Sequence, residues 1–361
     1  MKVLLCEISL DGHRQRYLNE LTQIDEIDFY AITPGNTVLH KDHSFFYSFN
    51  KQKSLFEYLL WIKAIKRIVL ENKIDVVHFL DGDSIMRYFG LGFNSIRCKR
   101  IVITYHHFFD GLLRKMSYRL MNYGKNRISV VHTETFKRNI EKYGIKAIQC
   151  NYPAFQYNDI VLLNNEKCRK DYGLISNIPT IGIIGSVCSY KHIIPFLKIM
   201  NNCNTVFHLL ICGKTSDVSA DEIYEATSNY KDKVVYYLKY LNDEEYYKAI
   251  AASDIVYSVY GLDFNGASGP LTDGVCAKKM ILSSSHGSLG EIVTENHLGI
   301  VADVTDDSDI LEKTEKALKT VERFSYDETA MQYRERIKPE NFRIKYKDIY
   351  NSWQNEIFIT K

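Results

Sequence analysis

The sequence predicts an α/β protein built of two doubly wound, Rossmann-like domains. Three observations carry that prediction. Apolar runs of strand length alternate with helical patterns along the chain, the rhythm of parallel sheets with crossover helices. The rhythm breaks at Asn151-Tyr152-Pro153-Ala154-Phe155-Gln156, a stretch neither periodic nor charged and interrupted by a proline. Finally, 361 residues is long for one core, and about 150 residues per domain suggests two.

In the first series, Met1-Lys2-Val3-Leu4-Leu5-Cys6-Glu7 reaches a carboxylate too early for a signal peptide and reads as a strand. Strands are expected at Val3–Ile8, Asp28–Ile32, Asp75–Leu80, Arg100–Tyr105 and Ile128–His132. Helical patterns lie between them at Arg14–Gln23, Ser54–Asn72, Leu112–Tyr123 and Thr135–Tyr143. Within Ser54–Asn72, the residues Leu55, Tyr58, Leu59, Ile62, Ile65 and Val69 fall on one face, with Lys63, Lys66 and Arg67 opposite. The second series has strands at Thr180–Ile184, Val206–Ile211, Val234–Tyr237, Ile255–Tyr260, Lys279–Ser283 and Gly299–Val301. Helices separate them, including Ile193–Met200, Asp243–Ala251 and Ile310–Val321. In domains of this kind ligands bind beyond the carboxyl ends of the strands.

Composition narrows the functional classes. With 45% hydrophobic and 25% charged residues, the chain has the balance of a globular protein. No run approaches the roughly 18 to 20 apolar residues that span a bilayer. The eight cysteines form no CxxC pair and several sit in apolar runs, so reduced core thiols in a cytosolic protein are expected. No cluster of metal-ligand spacing is evident, and no nucleic-acid partner is expected. The net charge of +2 conceals an asymmetry: residues 1–150 carry 23 Lys/Arg against 15 Asp/Glu, and residues 151–361 carry 23 against 29. The basic excess is densest in 110–146. There Phe108, Phe109, Leu112, Leu113, Met116, Leu120 and Met121 intermix with Arg114, Lys115 and Arg119. Two structures fit that pattern: an interfacial helix on an anionic membrane surface, or a crossover helix whose apolar face lies on its own sheet.

The most informative segment is Ala267-Ser268-Gly269-Pro270-Leu271-Thr272-Asp273-Gly274-Val275-Cys276-Ala277, which follows the apolar strand Asp254–Tyr260 after a short loop. Ser268 suits an N-cap, Gly269 removes side-chain bulk, and Pro270 suits the first helical turn. A helix starting there turns backbone N–H groups and the positive end of its dipole toward the loop, a setting for a diphosphate. Asp273, one turn in, is placed to accept hydrogen bonds from sugar or ribose hydroxyls. The alternative is that Ser-Gly-Pro only caps a core helix.

With the following Lys279-Met280-Ile281-Leu282-Ser283-Ser284-Ser285-His286-Gly287-Ser288-Leu289-Gly290-Glu291-Ile292-Val293, this segment resembles the C-terminal domain of glycosyltransferase family four, the retaining "group one" enzymes of the GT-B fold. Ile181-Gly182-Ile183-Ile184-Gly185-Ser186-Val187-Cys188-Ser189-Tyr190-Lys191 is similar to the family's glycine-turn and lysine segment, and Leu209–Lys214 to the strand and turn that follow. The resemblance implies two domains facing across a cleft: residues 1–155 with a C-terminal crossover helix at 340–361 on the acceptor side, and 156–339 binding the donor. It implies that Lys191 contacts the donor diphosphate, with Gly185, Asn265, Ser268, Gly269, Pro270 and Leu271 around it and Asp273 completing the site. Lys239 and Tyr240, in Tyr236–Tyr240, stand where backbone groups meet the base. In the first half, Ser9-Leu10-Asp11-Gly12-His13 resembles the family's glycine loop, with Gly12 letting backbone approach the phosphate. Val76-Val77-His78-Phe79 and Thr104-Tyr105-His106-His107 resemble two strand ends, with His106 near the transferred sugar.

These likenesses imply a nucleotide-sugar donor, a saccharide or lipid-linked acceptor, no cofactor and no bound metal. The expected location is the cytoplasm, with peripheral contact at the inner face of a membrane left open by the basic first half. The sequence also departs from the family. Two glutamates eight positions apart are here Asn265 and Asp273, an arginine after the glycine is Ser186, and a glycine after the lysine is His192. Those departures leave open a catalytically degenerate scaffold that binds nucleotide or a partner, and the shared architecture leaves open a nucleotide-sugar epimerase.

Overall fold

The computed structural model describes residues 1–10, 13–49 and 54–356. It divides into one unit of residues 1–155 and 339–361 and another of residues 156–338. Along the first unit run β1 (Lys2–Cys6), α1 (His13–Leu21), β2 (Asp28–Thr33), β3 (Ser44–Phe46), α2 (Leu55–Asn72), β4 (Val76–Phe79) and α3 (Gly82–Ile85). Then come β5 (Arg100–Tyr105), α4 (Leu112–Met121), β6 (Arg127–Val131), α5 (Glu134–Glu141) and β7 (Ala147–Gln149). The second unit comprises α6 (Tyr157–Val161), α7 (Asn165–Asp171), β8 (Thr180–Ile184), α8 (Ile193–Ile199), β9 (His208–Cys212), α9 (Ala220–Ala226) and β10 (Val234–Tyr237). It continues through α10 (Asp243–Ala252), β11 (Ile255–Ser258), α11 (Gly269–Cys276), β12 (Met280–Ser284), α12 (Gly287–Glu295), β13 (Gly299–Ala302), α13 (Asp307–Thr320) and α14 (Glu328–Arg336). The chain then returns to the first unit as α15 (Pro339–Glu356).

Among the described residues each unit holds one sheet, ordered β3-β2-β1-β4-β5-β6-β7 in the first and β10-β9-β8-β11-β12-β13 in the second. Every pairing is parallel. The strand order reverses between β1 and β4 and again between β8 and β11. At such a point the connections leave toward opposite faces and open a crevice at the carboxyl edge.

All eleven expected strands are present, shifted at their ends by two residues at most. The three-residue strands β3 and β7 are additions, too short to show a two-residue period. Two expectations about helix faces need correction. The buried stripe of α2 is Tyr58, Trp61, Ile62, Ile65, Ile68 and Val69, whereas Leu55 and Leu59 are exposed. Leu59 lies about 100° around the helix from Tyr58, which puts it beyond the sheet-facing edge. On α4, the residues turned inward are Ser117, Tyr118 and Met121. Of its expected apolar row only Met121 is buried, while Leu112, Leu113, Met116 and Leu120 are exposed, so most of the row does not lie on its own sheet.

Alternating strand residues divide the first core. Leu4, Tyr30, Val77, Phe79 and Ile103 pack with α2, α4 and α5, while Val3, Leu5, Phe29, Val76 and Val102 pack with α1 and α15. On the second face a buried chain of polar groups joins four elements. The Tyr17 and Tyr346 hydroxyls share a hydrogen bond, and Tyr346 Oη lies 2.8 Å from Thr104 Oγ1. Thr104 Oγ1 lies 2.8 Å from His78 Nε2, and His78 Nδ1 lies 2.7 Å from Tyr350 Oη. Burial lowers the pKa of His78 to about 3, so its imidazole is neutral. Among the described residues no helix is long and apolar enough to cross a membrane.

The His78 chain predicts a stability effect. Tyr350→Phe leaves His78 Nδ1 without its partner in a buried site, which should cost about 1–3 kcal/mol. Urea unfolding should show it as a lower midpoint; an unchanged midpoint would remove this network from the account of how α15 is held.

Candidate functional site

In the second unit the segments after β8 and β11 meet at the switch point. β8 is followed directly by Gly185, whose φ of +87° lies in the left-handed region. A Cβ placed there would lie 3.5 Å from Lys191 Nζ, 3.7 Å from Pro270 Cγ and 3.9 Å from the Tyr246 ring. Gly185 therefore sits against a lysine ammonium, the start of α11 and an aromatic ring of α10. Only glycine is tolerated at Gly213 beside it, because a Cβ would stand 1.7 Å from the Gly185 carbonyl oxygen.

Lys191 closes a short helical turn, Ser189–Lys191, and is 5% exposed. Its Nζ donates to the Ile184 carbonyl over 2.9 Å. The Tyr257 hydroxyl, rising from β11, donates to the carbonyls of Lys191 at 3.0 Å and His192 at 3.2 Å and holds the turn in place. Burial lowers the Lys191 pKa to about 8. His192 adopts a φ of +50°. That conformation explains the glycine usual at this place in the resembling family, since a residue with a Cβ is strained there.

The start of α11 forms as its sequence dictates. Ser268 is the N-cap and accepts the Leu271 N–H at 3.3 Å, and the Tyr260 hydroxyl lies 2.8 Å from Ser268 Oγ. Thr272 N–H already donates to the Ser268 carbonyl at 3.1 Å. The Gly269 N–H precedes the first intrahelical bond, and Pro270 has none to offer. Asp273 is 9% exposed and accepts the Tyr246 hydroxyl at 2.9 Å. Lys191, Gly185, Pro270, Asp273 and Tyr246 are thus one cluster.

Asn265 lies against the start of α12, its Oδ1 3.2 Å from where a Cβ on Gly287 would lie. The loop before Ser268 is fastened to the start of α12, with His286 Nε2 3.1 Å from the Gly261 carbonyl and Ser288 Oγ donating to the Gly266 carbonyl at 3.2 Å. Lys239 and Tyr240 lie farther out. Lys239 pairs with Glu245 at 2.5 Å, one residue from Tyr246, and its N–H donates to the Tyr237 carbonyl at 2.9 Å. Tyr240 is 79% exposed. Sequence reasoning missed Tyr246, because an aromatic on an amphipathic helix gives no sign of the carboxylate it meets.

In the first unit Gly12, with Asp11, falls outside the described residues. His106 is buried at the end of β5, with its N–H donating to Asp83 Oδ2 at 2.9 Å and its Nε2 2.9 Å from the Leu80 carbonyl oxygen. His107 donates its N–H to the same carboxylate oxygen at 2.9 Å, and its Nδ1 lies 3.3 Å away. Burial disfavours the charged form of His107, but the hydrogen bond and charge of Asp83 outweigh it and raise its pKa. Asp83 is raised too, by its own burial. Asp81 pairs with Arg14 and caps the short α3.

Glu7 is 2% exposed and accepts the N–H groups of Ile8 at 2.8 Å and Ser9 at 3.2 Å. Burial, with Asp81 nearby, raises its pKa to about 8. Glu7, Asp81 and Asp83 were not singled out from the sequence. The available signal was a carboxylate directly after an apolar strand, at the two strands that flank the switch point. Among the described residues no group of three or more His, Cys, Asp or Glu could hold a metal ion.

The family model described as "Glycosyl transferases group 1" matches residues 164–338. No curated protein gives a significant match to the sequence. A glycosyltransferase from Rickettsia africae is similar in structure, with 18% identity, a TM-score of 0.75 and coverage of 98% of each chain. Sucrose-phosphate synthase from Thermosynechococcus elongatus has 14% identity, a TM-score of 0.75 and full coverage of both chains. HepE from Anabaena, in complex with UDP-glucose, has 12% identity and a TM-score of 0.65, covering 98% of this chain and all of that one. At such identities the likeness is one of fold, and the fold is GT-B.

The position of Glu7 predicts a pH dependence of stability. Its folded pKa of about 8 lies above the ordinary 4.5, so the folded chain binds the proton more tightly. The contribution is fully present below about 4.5 and is lost as pH rises toward about 8. Glu7→Gln should therefore gain melting temperature over the parent by several degrees at pH 8.5 and little at pH 4.5. A constant difference at both pH values would contradict the assignment.

Proposed function

We propose that the protein, whose residues 164–338 match the group 1 glycosyl transferase family and whose fold is GT-B, transfers a hexose-type sugar from a nucleoside-diphosphate sugar to a saccharide or lipid-linked acceptor. The observation that carries the proposal is the convergence of the Lys191 ammonium, bare Gly185 and the start of α11 on one point. A cation, a position without side-chain bulk and a helix N-terminus are together what a diphosphate requires. HepE has been observed with UDP and with UDP-glucose, which makes a UDP-hexose the first donor to test.

In this reading Lys191 and the N–H groups around Ser268–Leu271 take the negative charge that grows on the departing diphosphate. Asp273, oriented by Tyr246, accepts hydrogen bonds from sugar hydroxyls. Asn265 borders the donor, Lys239 and Tyr240 lie toward the base, and His106 and Gly12 serve the sugar and acceptor. The acceptor hydroxyl attacks the anomeric carbon from the face that the diphosphate leaves. One carbon–oxygen bond forms as the other breaks, and the proton passes to a phosphate oxygen. Configuration is thereby retained, positioning and electrostatics do the catalytic work, and no metal is required. We place the protein at the cytoplasmic face of a membrane, in polysaccharide or glycolipid assembly. A second reading, a nucleotide-binding scaffold without transfer activity, rests on Asn265 and Ser186, which replace charged residues of the family.

Three outcomes are expected. A thermal-shift screen against UDP, GDP and their sugars should raise the melting temperature with one nucleotide series. Lys191→Ala and Asp273→Ala should each reduce turnover at least about tenfold; near-normal turnover in both would overturn the assignment, and absence of donor-dependent label in any lipid or saccharide product would favour the scaffold. Nucleotide affinity should also fall as pH rises through about 8, because Lys191 is cationic below that value and neutral above it. The Lys191→Ala variant should lack that dependence.

A further inference from the structure

The first unit carries an outer surface unlike an ordinary helical face. On α4, Leu112 is 83% exposed, Leu113 68%, Leu120 48% and Met116 44%. On α2, Phe56 is 70% exposed, Leu59 44% and Leu60 42%. Single exposed leucines are common, but contiguous ones mark an interaction surface.

The two helices belong to one surface because the segment between β4 and β5 bridges them. Tyr58 of α2 stacks on Tyr88 with ring centroids 4.1 Å apart, and its hydroxyl donates to the Leu91 carbonyl at 3.0 Å. On the other side, a Cβ on Gly90 would lie 3.0 Å from Met121 Cα of α4. Leu91, 48% exposed, sits between.

Charge identifies what covers this face. Lys63, Lys66, Arg67, Arg114, Lys115 and Arg119 lie on these two helices, against only Glu57 and Glu71. Glu57 is occupied with capping α2 and Glu71 pairs with Arg67. The Arg114 guanidinium lies 5.1 Å from the Phe109 ring centroid, and Lys115 Nζ lies 5.3 Å from that of Tyr143. Cations and leucines therefore alternate along the same turns instead of segregating into an apolar centre and a polar rim. In that arrangement apolar side chains enter the acyl boundary while the cations remain among lipid phosphates.

We propose that α2, the Leu91 segment and α4 form a docking surface for a bilayer of anionic phospholipid. It deepens the reading of a lipid-linked acceptor and rests on it for its purpose, but the binding is measured without turnover. The full chain is sedimented with vesicles of phosphatidylcholine alone and with vesicles containing about 30% phosphatidylglycerol. The expected result is capture by the anionic vesicles only, weakened by salt. It should fall at least about tenfold in L112E/M116E/L120E and in R114E/K115E/R119E. Melting curves and nucleotide-induced thermal shifts of both variants should match the parent, which separates lost docking from lost folding or lost donor binding. Absence of capture, or equal capture of parent and variants, would overturn the proposal. So would a dimer in sedimentation velocity that the same substitutions dissociate, since the face would then belong to a second copy of the chain.

Discussion

A buried ammonium is the constraint on which the second unit depends. Lys191 is almost withdrawn from solvent, and its hydrogen bond within the described residues goes to a single carbonyl. Removing such a charge from water is costly unless another group compensates it. Burial brings its pKa down to about 8, still leaving it mostly cationic at neutral pH. A diphosphate would supply the missing counter-charge. The surrounding sequence follows from keeping that place open. Gly185 and Gly213 exclude side chains, Tyr257 pins the turn, His192 accepts a left-handed φ, and Pro270 and Ser268 set the start of α11 alongside.

The first unit places titratable groups at its own reversal of strand order, under different physical rules. Glu7 and Asp83 lie near Asp81 where their own burial favours their protonated forms, Arg14 pairs with Asp81, and His107 pairs with Asp83. A protonated carboxyl can donate a hydrogen bond and a carboxylate can only accept one, so this edge has chemistry of both kinds near neutral pH. Its framework is held from the opposite face of the sheet, where α15 enters the chain of hydroxyl and imidazole groups around His78. The last helix of the chain is therefore part of the first unit's core.

The fold was legible because both sheets are parallel and their strands are nearly continuous apolar runs. Ile181-Gly182-Ile183-Ile184 and Arg100–Tyr105 needed no partner to be recognised. What escaped was set by tertiary context. Leu112, Leu113, Met116 and Leu120 obey a helical pattern whichever way the helix faces, and it is the packing of Ser117, Tyr118 and Met121 on neighbouring elements that turns them outward. At the site, Ser268-Gly269-Pro270 was legible as a helix start because capping is local chemistry. The contact of Tyr246 with Asp273 was not, since 27 residues separate them and neither forms a motif with the other. Glu7 and Asp83 were hidden for a similar reason: a carboxylate's burial depends on neighbours brought by other strands.

The central claim is that phosphoryl charge is bound at Lys191 and the start of α11. Calorimetric titration of one base as nucleoside, monophosphate and diphosphate tests it most directly. The account predicts affinity rising at least about a hundredfold from nucleoside to diphosphate, with most of that gain absent in Lys191→Met. Equal affinity across the series, or a gain that survives loss of the ammonium, would contradict it.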